Sequence, residues 1–151
     1  MIYKISLSIF GDKLEPGSII NSLLGDFTVE SFNAPQDKKP QSEDIYGFGS
    51  ITFWHPNKFA NSDRVAAYEK DFIRFLEDNY PLFAKYGADE CEFFLEIYYD
   101  GGQCNFQIFD RNILKRLAKY KTSIPVSVYT LSVKEIEEWE KEIEQLWGFI
   151  A

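Results

Sequence analysis

The sequence is short of the residues that carry chemistry. Its 151 residues hold one histidine, His55, and two cysteines, Cys91 and Cys104. A single histidine excludes the HExxH pattern, and the cysteines do not form a CxxC pair, so no metal site is expected. EF-hand spacing is also missing. The Gly47-Phe48-Gly49 triplet lacks the further glycine and the following helix of a phosphate-binding loop, so no nucleotide or other cofactor is expected. No run approaches the ~18 apolar residues of a membrane span. The opening MIYKISLSIF has no cleavage site behind it, so it does not read as a signal peptide. A reducing, cytoplasmic compartment and free thiols are expected. Positive charge is scarce: 16 Lys and Arg face 24 Asp and Glu, for a net charge of −8. That balance disfavours nucleic acid and anionic membrane as partners and suits a basic protein.

The chain does have the means to fold. It is 45% hydrophobic and 17% aromatic, a composition that argues against disorder. Its length suits a single domain over residues 1–151.

Periodicity supplies the elements. Ile5, Leu7 and Ile9 alternate with Lys4, Ser6 and Ser8, which predicts a strand over Ile2 to Phe10. Pro16 suits the first turn of a helix with Ile19, Ile20, Leu23 and Leu24 inward and Gly25 as its C-cap. Short strands are expected at Thr28 to Phe32 and Tyr46 to Trp54, joined by the polar loop Asn33 to Asp44. Val65, Tyr68, Phe72, Phe75 and Leu76 form the stripe of a long helix that Pro81 is expected to interrupt, with room for a further turn before Gly87 stops the element. Cys91 to Phe109 reads as the central hairpin, with Asp100-Gly101-Gly102-Gln103 as its turn. In that register the two cysteines stand roughly 27 Å apart at ~3.4 Å per residue, beyond the ~7 Å limit of a disulfide. Asp110 caps a helix to Lys121, Ile124 to Leu131 is a strand, and Ser132 with Glu135 forms a capping box for a last helix to about Trp147. The order is β-α-β-β-α-β-β-α-β-α. It predicts an α+β fold, with a mixed or mostly antiparallel sheet and helices packed on one face.

Candidate site residues are few. His55 is a candidate base, but no nucleophile or orienting carboxylate can be assigned to it from sequence. Glu92, Glu96 and Asp100 share one face of a strand at intervals of roughly 13 Å, too far apart for the paired carboxylates of a glycosidase. These acids read first as the polar side of an amphipathic strand; Phe94 and Tyr98 between them make the face only half polar, which fits either a partly covered face or a binding surface. The last helix carries Ile136, Trp139, Ile143, Leu146 and Trp147 as an apolar stripe that Ile150 extends. Glu135, Glu138 and Glu142 flank one side of the stripe, and Glu137, Glu140 and Glu144 the other. The first reading of this stripe is core packed on the sheet, with the glutamates solvated; where its indoles are exposed, aromatic anchors rimmed by one sign of charge suit a complementary basic partner.

The opening strand with Gly11-Asp12, Pro16, Ile19, Leu23-Leu24-Gly25 and Thr28 resembles a family of small bacterial α+β proteins filed as a domain of unknown function. The LEIYYD segment and Ile124 to Tyr129 are similar too. In its acidity and aromatic content the chain also resembles immunity proteins of contact-dependent growth inhibition and other polymorphic toxin systems. That resemblance implies a cytoplasmic, non-enzymatic antitoxin that binds and blocks a cognate toxin domain. The residues expected at such an interface are Glu92, Phe94, Glu96, Glu135, Glu137, Glu138, Trp139, Glu142 and Trp147. The alternative is a small hydrolase-like enzyme using His55 and carboxylates.

Overall fold

A computed structural model describes residues 1–148; Ile150 lies outside them. The elements are β1 (Ile2–Gly11), α1 (Pro16–Ile20), β2 (Thr28–Asn33), β3 (Gly49–Trp54), β4 (Ala60–Asn61), α2 (Val65–Lys85), β5 (Glu90–Tyr99), α3 (Arg111–Leu117), β6 (Thr122–Ser123), β7 (Val126–Thr130) and α4 (Val133–Gly148). The architecture is α+β, with a mixed, mostly antiparallel sheet of seven strands ordered β2-β3-β1-β5-β6. β4 pairs with β1, and β7 pairs with β5. Among the described residues, only the pairings of β5 with β6 and β7 are parallel.

The alternation in β1 and β5 sets the core. Ile5, Leu7 and Ile9 join Phe93, Leu95, Ile97, Ile51 and Phe53 on one face, all buried. α2 lays Tyr68, Phe72, Phe75, Leu76 and Phe83 on that face. Phe72 meets Phe93 at 6.0 Å, and Phe75 meets Phe53 at 4.9 Å, both edge to face. The opposite face carries Phe10, Thr52, Trp54, Glu92, Phe94 and Glu96, all of which stay half-exposed.

β1 passes from β3 to β4 near Ile5: β3 pairs with Ser6 to Gly11, and β4 only with Ile2 and Tyr3. The Ile5 N–H falls in the gap and donates to the Tyr68 hydroxyl at 2.8 Å. That hydroxyl donates onward to the Lys58 carbonyl at 2.7 Å. A buried backbone donor is thereby paired where the ladder cannot pair it.

The hairpin is the main correction. β5 forms as expected, but residues 103–108 make no strand. Instead β7 takes that edge of β5, in parallel, from Leu95↔Val126 to Tyr99↔Thr130. VSVYT is rich in β-branched residues and competes better for the edge than QCNFQIF, which carries two glutamines and an asparagine. The displaced segment crosses the core side. Phe109 packs on Phe93 at 5.2 Å and donates its N–H to Glu69 Oε1 at 2.7 Å.

Pro81 does not end α2, which runs on to Lys85. An interior proline costs about 3 kcal/mol, and burial of Phe83 in the following turn offsets it. α1 stops at Ile20 with Asn21 as its C-cap, so Gly25 is a turn residue at φ +92°. β3 begins at Gly49, three residues later than expected. Both cysteines are free thiols, and burial pushes Cys91 up to about 12.

Candidate functional site

α4 opens on the capping box read from the sequence. The Ser132 N–H and hydroxyl both reach Glu135 Oε2 at 2.8 Å, and the Glu135 N–H returns to Ser132 Oγ at 3.2 Å. These bonds hold the Glu135 carboxyl below its ordinary value. Glu135 is therefore a helix cap before it is anything else. Glu137, Glu138 and Glu142 are exposed. The ion pair along this helix is Lys134–Glu138 at 4.0 Å, not the Glu137–Lys141 pair its spacing also permits.

The two tryptophans do not project as anchors. Trp147 is 8% exposed, stacks on His55 at 5.2 Å and donates its indole N–H to the Phe59 carbonyl at 2.9 Å. Trp139 is half-buried between Phe59 at 5.1 Å and Tyr98 at 5.0 Å. Trp147 fills the protein's own core and has no face left for a partner, so the expectation that it anchors a complex is corrected; Trp139 keeps a partly exposed face. Two members of the second glutamate row are held by neighbours: the Asn61 amide donates to Glu140 at 2.8 Å and to Glu144 at 2.9 Å, and Arg64 pairs with Glu144 at 3.2 Å.

Glu92, Phe94 and Glu96 lie together on the half-open face of β5. Lys4 pairs with Glu96 at 3.5 Å and rests over the Trp54 ring at 4.3 Å, so Glu96 is neutralised. Glu92 is different. The antiparallel register sets Ser8 against Glu92 and Phe10 against Glu90. The strand ends bring Asp12 and Asp89 to the same corner, where the Asp12 N–H donates to Asp89 Oδ2 at 3.1 Å. Asp12, Asp89, Glu90 and Glu92 line a shallow depression of about 350 Å³ with Phe10 and Phe48. Phe10 and Phe48 pack at 6.3 Å, and Phe48 stays 36% exposed. Among the described residues, none of these four carboxylates has a cation within ion-pair distance. Sequence reasoning placed Glu92 here and missed the other three. Their signal was the acids flanking two strand ends, legible only once β1 and β5 are paired.

His55 sits at the end of β3, where it is 4% exposed. Its Nδ1 accepts the Asn57 N–H at 2.9 Å, which fixes the proton on Nε2, and Nε2–H donates to Asp71 Oδ2 at 2.9 Å. Phe27, Tyr68, Phe72 and Trp147 pack around the ring. Burial lowers the His55 pKa against the opposing pull of Asp71, so the ring is held neutral. The ring has no free nitrogen with which to take a proton from a substrate. The ring borders a cavity of about 280 Å³ that also holds Asp26, Asp71, Asp78 and Arg74. Among the described residues, no serine, threonine or cysteine lines it. Asn57 does, and its Nδ2 lacks a partner, which costs a buried donor about 1–3 kcal/mol. Asp71, Arg74, Phe75 and Asp78 follow helical spacing on α2, a pattern the sequence offered and the stripe of Phe72 and Leu76 obscured.

Among the described residues no three His, Cys, Asp or Glu side chains converge to hold a metal ion. None of their helices is long and apolar enough to cross a membrane. Comparison of the chain with family models, curated proteins and solved structures found no match.

Proposed function

We propose that the protein is a non-enzymatic binding module that engages a basic protein, in the manner of a cytoplasmic immunity protein occluding its cognate toxin domain. One observation supports this reading above the others: four unpaired carboxylates surround the exposed Phe48 at one end of a half-open sheet face. Keeping like charges together without counter-ions is unfavourable in the free protein, and a cationic partner relieves it. Phe94 and Trp54 continue that face as half-exposed aromatic surface. The exposed Glu137, Glu138 and Glu142 of α4 lie toward the far end, because Trp139 on the same helix touches Tyr98 at the end of β5. Negative charge thus brackets an aromatic centre. Charge speeds encounter, and the aromatic surface slows release.

Co-expression with a candidate toxin domain tests the proposal. Growth rescue and a stable equimolar complex are expected. Failure to rescue across toxins whose active domains are strongly basic would count against it.

The hydrolase reading has one observation in its favour, the His55–Asp71 couple beside a cavity with further carboxylates. Both ring nitrogens are occupied, however, and general-base work needs one of them free. Turnover of ester or amide substrates that His55→Gln abolishes would restore that reading.

A further inference from the structure

The cavity beside His55 is separate from the sheet face, and its chemistry is independent of any basic protein partner. Its lining combines three chemistries. Asp26 and Asp78 are exposed carboxylates with no cation within ion-pair distance among the described residues. Arg74 projects into the same space from α2 and makes no ion pair among those residues either. Phe27, Phe75 and Trp147 supply an aromatic floor, with Phe27 and Phe75 stacked at 4.3 Å.

A purely acidic cleft would take any cation. Here an unused guanidinium stands beside the unused carboxylates, so the complementary ligand carries both signs. The aromatic floor asks for an apolar group on that same molecule. The cavity of about 280 Å³ falls just below the ~300–1,000 Å³ of drug-sized pockets, so the molecule is small. We infer that this cavity binds a free α-amino acid with an apolar side chain. Its ammonium meets Asp26 and Asp78, its carboxylate meets Arg74, and its side chain lies on the aromatic floor. Asp71 keeps one carboxylate oxygen on His55 and fixes that wall. His55 is a positioning residue in this arrangement.

Isothermal titration with L-phenylalanine and L-leucine tests the assignment, and quenching of Trp147 fluorescence gives a second readout. Phenethylamine and 3-phenylpropanoate each keep one of the two charges. Saturable binding of at least one amino acid is expected, with each one-charge analogue at least about tenfold weaker, because each loses a charge-assisted bond. Arg74→Gln erases the preference for phenylalanine over phenethylamine. Asp78→Asn weakens both. These side chains are exposed on α2, so circular dichroism of the variants stays as in the parent. Glu90→Gln with Glu92→Gln, on the sheet face, changes none of these affinities. Absence of saturable amino-acid binding by the folded parent overturns the assignment. So does phenethylamine binding as tightly as phenylalanine, or a preference for the zwitterion that survives Arg74→Gln.

Discussion

Two side chains show how much of this fold depends on single polar groups. The Tyr68 hydroxyl holds the Ile5 N–H and the Lys58 carbonyl together at the gap in β1. Tyr68→Phe keeps the ring and deletes the bond, leaving a buried donor unpaired, so a loss of about 1–3 kcal/mol is expected in urea denaturation. His55 gives a pH signature. Its native pKa lies below the ordinary 6.5, chiefly because burial disfavours the charged ring. The unfolded chain therefore binds the proton more readily than the native one. Stability from this group is complete above about pH 6.5 and is lost as pH falls from there toward the native pKa. His55→Gln should remove that part of the acid-side slope in denaturation midpoints measured across the window. Neither role is legible in the sequence. Asp71 and Asn57 fix the ring's tautomer, but which of many acids reaches a lone histidine is decided by where α2 lies against the end of β3.

Local signals read well at the level of elements, and competition between elements did not. Asp110 caps α3 by accepting the N–H groups of Asn112 and Ile113, each at 2.9 Å, and the Ser132 box caps α4. Each is settled within a few residues, so sequence suffices. The Asp100 to Gln103 turn signal is equally local, yet the return arm loses its place to β7, which arrives from some twenty-five residues further along. A turn propensity carries no information about a rival strand. Close backbone approach is similarly hidden. Gly11, at the end of β1, lies so near the Gly87 carbonyl that any Cβ would collide with it, whereas Gly17 in α1 has open space around it. Gly11→Ala should cost about 1–3 kcal/mol through overpacking. Gly17→Ala should instead stabilise by about 0.4–1 kcal/mol through the unfolded state. Thermal or urea unfolding of the pair checks both signs at once.

The distribution of charge and aromatic surface decides the whole molecule's behaviour. Composition alone gave the net charge and the expectation of a basic partner, and alternation in β5 placed Glu92, Phe94 and Glu96 on one face. Composition could not say which acids stay free. The fold spends Glu96 on Lys4, Glu140 and Glu144 on Asn61, and Glu135 on its own helix cap. It also buries Trp147 and half-buries Trp139, the indoles considered as anchors. Among the acids left without a cation in the described residues are Asp12, Asp89, Glu90 and Glu92 at the sheet corner and Glu137 and Glu142 on α4. The most direct test is the association rate between this protein and a basic toxin domain across salt concentrations, for the parent and for Glu90→Gln with Glu92→Gln. A rate that falls steeply with salt and is reduced about tenfold or more at low salt by the double substitution is expected. A rate indifferent to both salt and the two glutamates would contradict the sheet-face binding proposed for it.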